Sequence, residues 1–173
     1  MNSKPLDNSY PVSDRVFAGE HPLYHNNRAN LRRLLTFGIT DFVDLTLAYE
    51  VPPYESFLPP DRHRHAFPIR NCDVPSSVRS VVALFQTMEQ MLQTRPEARL
   101  YIHCHGGVGR TGTLVACYYC YFEHLPFEEA LAKMQARFAE SSRSKIMNAP
   151  ETRRQVDFIR QFAETYTSYI HLP

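Results

Sequence analysis

The chain has 173 residues, 43% of them hydrophobic, which suits one globular domain that buries a substantial core. Its 19 Lys and Arg residues nearly balance 18 Asp and Glu residues, so the net charge of +1 gives no electrostatic reason to expect binding to nucleic acid or to a membrane surface. No apolar run approaches a membrane span, and residues 1–10 lack the apolar core of a secretory signal, so a cytoplasmic protein is expected.

Extended and helical patterns alternate along the first half of the chain. The predicted elements are an extended lead-in at 1–14, a strand at 15–19, a helix from Asn26 or Asn27 through Phe37, a buried strand at 39–45, a proline-rich loop at 48–61 with a short helical turn near 54–58, and a weak strand at 63–67. The first helix follows from leucines at helical spacing, and Gly38 supplies its stop. Helices that alternate with strands predict a layered α/β domain.

Longer helical patterns follow in the second half. The predicted elements are a helix that starts at Ser77 and is ended by Pro96, a strand at 99–103, a very apolar helix at 110–123, a helix that starts at Pro126, a polar and basic loop at 141–145, and a last helix opened by 149–155. Because the helix at 110–123 is apolar on most sides, it is predicted to be central. The basic loop is interpreted as a solvated turn, with a place on a rim that meets an acidic substrate as the alternative.

The stretch between the strand at 99–103 and the apolar helix carries the chemistry. Five residues separate Cys104 from Arg110, which suits one tight loop whose backbone N–H groups converge on an oxyanion. The residues predicted to bind this anion are His105, Gly106, Gly107, Val108, Gly109 and Arg110. The helix end adds partial positive charge, and the guanidinium of Arg110 matches two phosphate oxygens. The same field should stabilise a thiolate, so Cys104 is predicted to be a nucleophile.

Two neighbours of this loop have predicted supporting roles. Thr111 carries a hydroxyl that could donate to the thiolate when it leaves, and His103 could orient the loop from behind. A nucleotide-binding loop of the Walker type does not fit, because it would have a lysine at the position of Arg110 and a longer glycine spacing.

His103, Cys104, Arg110 and Thr111, with their spacing and glycines, resemble the signature loop of the cysteine-dependent protein tyrosine and dual-specificity phosphatases. The form of the loop is most similar to that of the small atypical dual-specificity phosphatases. The resemblance implies one catalytic domain over residues 1–173, with an α/β phosphotyrosine-phosphatase-like fold in which helices flank both faces of a mostly parallel central sheet. It also implies phosphoryl transfer in two displacements through a phosphocysteine, without a metal or organic cofactor.

Residues 68–76 resemble the movable acid loop of the same family, which commonly carries an aspartate three residues after its first proline. Here that position holds Asn71, and an amide cannot donate the proton that the departing oxygen needs. The nearest carboxylate is that of Asp73. Three interpretations are open: Asp73 is the general acid, the protein works slowly without one, or Asn71 is an engineered replacement for an aspartate.

Glu151 and Gln155 resemble the segment that, in this family, helps to place the water for the second displacement. The alternative is a helix N-cap with an acidic first turn. The sequence favours the two interpretations equally.

The residues inside the loop bear on the substrate. Members of the superfamily that act on phosphoinositides or inositol polyphosphates tend to place lysine there, whereas this chain has His105 and Val108. The resemblance therefore favours phosphotyrosine on a protein, or a small aryl phosphate, as the substrate. It also favours a monomeric enzyme. An inositol phosphate or phosphoinositide phosphatase is the alternative enzyme. A phosphate-binding pseudophosphatase, with poor turnover because of Asn71, is the alternative from another class.

Overall fold

The computed structural model describes residues 4–51 and 53–170; residues 1–3 of the predicted lead-in, Pro52 of the predicted proline-rich loop and residues 171–173 lie outside the described residues. The strands are β1 (Ser9–Pro11), β2 (Val16–Gly19), β3 (Asp41–Asp44), β4 (His63–Ala66) and β5 (Leu100–His103). The helices are α1 (Arg28–Thr36), α2 (Val78–Thr94), α3 (Gly109–Phe122), α4 (Phe127–Phe138) and α5 (Arg153–Thr165). None of the helices in these described ranges is long and apolar enough to cross a lipid bilayer.

The strands form one sheet in the order β1-β2-β5-β3-β4. Strands β2, β5, β3 and β4 run parallel, and β1 pairs antiparallel with β2. The predicted α/β fold with a mostly parallel sheet is confirmed. Because β5 lies at the centre, the residue that follows it, Cys104, lies at the carboxyl end of the sheet between β2 and β3, where ligands bind in open parallel sheets.

The amino-terminal segment is more than the predicted lead-in. Ser9–Pro11 pairs with the end of β2, and both Tyr10 and Val12 are buried in the core. A three-residue strand that ends in proline has little intrinsic signal, because proline is tolerated mainly at a sheet edge and the strand is held by its neighbour. The described part of the segment therefore completes the sheet.

Side chains alternate between the two faces of the sheet, with the period of two that strand geometry imposes. Phe42 and Tyr101 pack with Leu34 of α1 in one buried cluster. Val43 and Ile102 point the other way, into the larger cluster built with α2, α3, α4 and α5. Helices on both faces are therefore confirmed.

Helix α3 is the central helix, as predicted. Every residue from Gly109 to Tyr121 is buried. Cys117 and Cys120 belong to this buried surface, and burial raises the pKa of the Cys120 thiol to about 12. Both thiols therefore act as core side chains. A helix buried on all sides holds its amino terminus in a fixed place under the loop that precedes it.

Candidate active site

The loop from Cys104 to Gly109 joins the carboxyl end of β5 to the start of α3. The backbone N–H of Gly107 donates to Sγ of Cys104 over 3.2 Å. Gly107 has a φ of +72°, and a Cβ there would collide with the backbone of Gly19, so the position requires glycine. The N–H of His21 donates to the carbonyl oxygen of His105 over 2.9 Å and ties the loop to the segment after β2. The loop is therefore fixed from within and from its side.

The buried guanidinium of Arg110 is anchored through one of its nitrogens. Its Nη1 lies 2.7 and 3.1 Å from the two carboxylate oxygens of Glu50, and it donates to the carbonyl oxygens of Leu45 and Ile69 over 3.5 and 3.0 Å. Every hydrogen bond that the described residues make to this guanidinium uses Nη1. Nε and Nη2 are therefore available to two phosphate oxygens, as in a bidentate arginine–phosphate pair.

His103 lies behind Cys104 and is fully buried. Its Nδ1 is 3.3 Å from the carbonyl oxygen of Cys104, and its Nε2 is 2.6 Å from the hydroxyl of Tyr54. Because a carbonyl can only accept, the network assigns the proton to Nδ1 and makes Nε2 the acceptor of the Tyr54 hydroxyl. Burial lowers the pKa of His103, which favours this neutral ring. These contacts fit the predicted role of orienting the loop from behind.

The hydroxyl of Thr111 lies in the first turn of α3. Its oxygen is buried and has no hydrogen-bond partner among the described residues. A buried hydroxyl normally pairs, so an unpaired one at this place suits a donor that is used only at one stage of a reaction. The predicted donation to the Cys104 thiolate stays a prediction.

The acid loop turns at Arg70, whose carbonyl oxygen accepts from the N–H of Asp73 over 3.0 Å. The turn sends Asn71 and Asp73 to different sides. Asn71 lines the cavity that holds Cys104, whereas Asp73 lines a neighbouring cavity, with its carboxylate 3.0 Å from the guanidinium of Arg154. An arrangement with Asp73 over Cys104 is therefore not the one in this structure. Asn71 lines the cavity of Cys104 instead.

Glu151 and Gln155 have separate tasks at the start of α5. Oε1 of Gln155 accepts from the N–H groups of Glu151 and Thr152 over 2.9 and 3.1 Å, while the Thr152 hydroxyl accepts from the N–H of Gln155, which completes a capping box. Nε2 of Gln155 also donates to the carbonyl oxygen of Asp73 over 3.2 Å. Glu151 reaches the catalytic cavity, where its carboxylate would collide with a Cβ at Gly109. Gln155 thus caps the helix, and its Nε2 also lies beside the loop, 2.9 Å from a Cβ built at Gly109. The placing of a water by Glu151 and Gln155 stays a prediction.

One cavity of about 210 Å³ collects most of the predicted site. The predicted residues that line it are Asn71, Cys104, His105, Gly106, Val108, Arg110 and Glu151, and the remaining lining residues are Tyr24, Arg143 and Met147. The Cys104 thiol, the Arg110 guanidinium and the Glu151 carboxylate therefore share a single compact space.

Comparison with known protein families agrees with this geometry. A family described as the Swiss Army Knife protein, DSP-PTPase phosphatase domain (PTP-SAK), matches residues 15–162. The chain belongs to this family. The match runs from the start of β2 into α5 and includes the whole loop and both of its flanking elements.

This DSP-PTPase domain is similar in sequence to several curated proteins. It is 30% identical over 133 residues to the phosphatidylinositol 3,4,5-trisphosphate 3-phosphatase ptn1 of Schizosaccharomyces pombe, covering 76% of this chain and 36% of that protein. It is 24% identical over 159 residues to the putative tyrosine phosphatase 197R of Invertebrate iridescent virus 6, covering 91% and 50%. The chain thus spans about a third to half of these curated relatives. The crystal structure of Tk-PTP in its active form superposes with a TM-score of 0.73 at 22% identity, over 91% of this chain and 97% of that one, and shares the fold.

Three buried side chains behind the loop of the DSP-PTPase domain could be mistaken for metal ligands. His21, Asp44 and His103 each offer an atom within 4.8 Å of the others. Nδ1 of His21 accepts from the N–H of Leu23 over 3.0 Å, while its Nε2 is buried without a hydrogen-bond partner among the described residues. A carboxylate oxygen of Asp44 accepts from Arg64 over 2.7 Å. Both ring nitrogens of His103 are engaged as described above. We interpret the group as a buried support for the loop.

The free energy of unfolding should fall as the pH is lowered from 6.5 towards 3, because of His21. Burial, with repulsion from His103, lowers the pKa of His21 from its ordinary 6.5 to about 3. Between these values the unfolded chain takes up a proton that the folded domain excludes, so stability rises with pH across this window and is lost as the pH falls. One such group contributes a slope of up to about 1.4 kcal/mol per pH unit.

Urea denaturation between about pH 5 and 6.5, where few carboxylates titrate, measures this slope. His21→Asn keeps an acceptor for the N–H of Leu23 and removes the titration, so its slope should be flatter. His63→Asn, at an exposed histidine of β4, serves as the matched control. A slope in His21→Asn equal to that of the unchanged protein would contradict the assignment.

Sequence reasoning missed several residues that touch the site. Glu50 anchors Arg110 from the loop after β3, and Tyr54 supports His103 from the next turn. Tyr24 lines the cavity from the segment after β2. No local pattern marks these positions, because their contacts exist only once β2, β3 and β5 lie side by side. The one usable signal was that the segments after the parallel strands meet at one edge of the sheet.

Proposed function

We propose that this chain is a protein tyrosine or dual-specificity phosphatase that hydrolyses phosphomonoesters through a phosphocysteine intermediate on Cys104. The observation that carries the proposal is the anchoring of Arg110 by Glu50 through Nη1, which leaves Nε and Nη2 for a phosphate in the cavity that holds Sγ. Loop amides, a helix end and this guanidinium together can neutralise a dianion. The scheme therefore requires no metal or organic cofactor.

In the first displacement the Cys104 thiolate attacks phosphorus, so that a sulfur–phosphorus bond forms as the bond to the leaving oxygen breaks. Arg110 and the loop N–H groups hold the three remaining oxygens and stabilise the charge that they share in the transition state. The leaving oxygen needs a proton unless it is a weak base. Asn71 cannot donate that proton, so good leaving groups such as phenolates should react fastest.

In the second displacement water attacks phosphorus and the cysteine leaves as a thiolate. The carboxylate of Glu151 lies in the same cavity and is the group proposed to orient the water and take its proton. The hydroxyl of Thr111 is proposed to donate a hydrogen bond to the departing thiolate. Phosphate and free enzyme then remain.

Phosphotyrosine on a protein is the proposed substrate because its leaving group is a phenolate. The name of the S. pombe relative keeps phosphoinositides as the alternative substrate, although the loop carries His105 and Val108 instead of lysine. Because Asn71 lines the cavity, a phosphate-binding pseudophosphatase is kept as the alternative that is not an enzyme. The proposal includes a cytoplasmic, monomeric protein, because a thiolate nucleophile works in a reducing compartment.

Hydrolysis of para-nitrophenyl phosphate across pH, followed by assays with phosphotyrosine and phosphoserine peptides and with phosphatidylinositol trisphosphate, tests the proposal. Release of phosphate from the aryl phosphate and the phosphotyrosine peptide is expected to exceed release from the other two. Faster reaction of the lipid would select the phosphoinositide alternative. Binding of vanadate without turnover of any substrate would select the pseudophosphatase.

Asn71→Asp should raise kcat for a phosphoserine peptide by about 100-fold, and less for para-nitrophenyl phosphate, because a general acid helps poor leaving groups most. The measurement is the ratio of the two kcat values in each protein. Asn148→Asp adds the same charge at an exposed asparagine that does not line the catalytic cavity and is the matched control. No gain in Asn71→Asp, together with loss of the basic limb of the pH profile in Asp73→Asn, would make Asp73 the acid.

A further inference from the structure

A side cavity lies next to the catalytic one, between the carboxyl end of α4 and the segment that leads to α5. Its volume is about 340 Å³, against about 210 Å³ for the catalytic cavity. Met147 lines both cavities and so forms part of the wall between them. Ala149 also lines the side cavity, and it lies against the first turn of α3, because a Cβ at Gly112 would be 3.1 Å from the Cβ of Ala149. The side cavity is therefore close to the catalytic loop.

The side cavity differs from the catalytic cavity in charge. None of the described residues that line it is charged, whereas the catalytic cavity contains Arg110, Arg143 and Glu151. Ile146, next to Met147 in the chain, is 77% exposed, so apolar surface continues outside the cavity. A space of this kind favours an uncharged side chain, because a charged one would lose water without gaining a partner. The apolar residues that line the side cavity are Phe138, Ala139, Met147 and Ala149.

The polar side chains of the side cavity are those of Gln135, Ser144 and Asn148. Nε2 of Gln135 donates to the carbonyl oxygen of Ala149 over 3.5 Å, and Oγ of Ser144 donates to the carbonyl oxygen of Ser141 over 2.7 Å. These two groups are thus already paired within the chain. What the cavity offers a ligand is mainly apolar contact, which becomes favourable as both surfaces leave water.

We propose that the side cavity binds an apolar side chain close to the phosphotyrosine of a protein substrate. The inference rests on the proposed function and adds the kind of sequence that surrounds the phosphorylated residue. An extended peptide advances about 3.3 Å per residue, so a side chain within about three residues of the phosphotyrosine reaches across the wall that Met147 forms. The exposed amide of Asn148 can pair with a peptide backbone, whereas a lipid acyl chain has no group for it.

The test replaces residues around the phosphotyrosine of a peptide one at a time. Peptides carry leucine or serine at each of the three positions on either side, and kcat/KM is measured for both members of every pair. Leucine should be preferred by about tenfold or more at one position or at two adjacent ones. The preference should be mainly in KM, because the contact is made in both ground and transition states.

Two variants of α4 separate the side cavity from its surroundings. Ala139→Asp puts a charge into the cavity from an exposed position directly after α4, so it should abolish the preference for leucine and create one for lysine at the same peptide position. Ala136→Asp adds the same charge at an exposed position of α4 that does not line the cavity, and it should retain the preference for leucine. Ala139→Phe fills the cavity without a charge, should also remove the preference, and replaces Ala139→Asp should that variant melt early.

Two kinds of result overturn the inference. The first is equal kcat/KM for leucine and serine at every position, or a preference of unchanged size in a folded Ala139 variant. The second is faster hydrolysis of a long-chain than of a short-chain phosphatidylinositol phosphate, with loss of the difference in Ala139→Asp, because the cavity would then hold an acyl chain.

Failure of the proposed function gives a different result. In that case the unchanged protein does not turn over para-nitrophenyl phosphate at all. Affinities for the same peptide pairs, measured by calorimetry in Cys104→Ser, then test the side cavity directly. Tighter binding of a leucine peptide that disappears when Ala139→Asp is added supports the subsite, and equal affinities within every pair reject it.

Discussion

Cys104→Ser should lower kcat for para-nitrophenyl phosphate by about 10⁴-fold or more, because a neutral hydroxyl is a far poorer nucleophile than a thiolate and no phosphocysteine can form. The variant should still bind phosphate. The loop N–H groups and the free edge of Arg110 do not depend on sulfur, although the contact from Gly107 to Sγ over 3.2 Å is replaced by one to a smaller oxygen. Stopped assays for turnover and calorimetry with vanadate or phosphate measure the two properties separately.

Cys72→Ser is the matched control for this prediction. Cys72 is an exposed thiol, so the control removes a cysteine without removing the proposed nucleophile. Its turnover should stay within about threefold of the unchanged protein, as for most surface substitutions. Residual cysteine-independent hydrolysis in Cys104→Ser above one percent of the original rate would rule out the phosphocysteine route.

Arg110→Lys should lower kcat/KM for the same substrate by about 10² to 10³-fold, although the positive charge is kept. Lysine has no planar fork for two phosphate oxygens and cannot pair with Glu50 through one nitrogen while offering two others to the substrate. Most of the loss should be in kcat, since the bidentate contact is proposed to strengthen as charge spreads over the phosphoryl oxygens. Steady-state kinetics, together with phosphate affinity, separate the two contributions.

Arg153→Lys makes the same chemical change at an arginine whose side chain is 89% exposed on α5, and it should leave kcat/KM nearly unchanged. A second variant tests the anchor. Glu50→Gln keeps an acceptor for Nη1 but removes the charge, so its loss should be smaller than that of Arg110→Lys. Equal kcat/KM in Arg110→Lys and the unchanged protein would show that the arginine fork has no part in the reaction.

The amino-acid sequence was enough to locate the reactive loop, because its chemistry depends on residues adjacent in the chain. The glycines between Cys104 and Arg110 permit the tight turn, and the apolar patterns on either side specify a buried strand and a buried helix. The layered α/β class followed from the alternation of helices with strands. Local order along the chain therefore determined the class of fold and led to the prediction of the nucleophile and the anion-binding loop.

The edge strand β1 and the residues around the loop were decided by tertiary structure. Ser9–Pro11 forms a strand only because β2 lies beside it, and Glu50 reaches Arg110 only because β3 and β5 are neighbours. Such pairings join positions far apart in sequence, and local propensity has no information about them.

The acid loop is the clearest example of a feature that the sequence left open and the tertiary structure decided. The sequence placed Asn71 and Asp73 in one short segment and left both able to face the nucleophile. The turn at Arg70 and the contact of Asp73 with Arg154 of α5 leave Asn71 lining the cavity of Cys104 and the Asp73 carboxylate outside it. The direction of a loop side chain is set by packing against distant elements, so only the folded chain could decide which of the two residues faces Cys104.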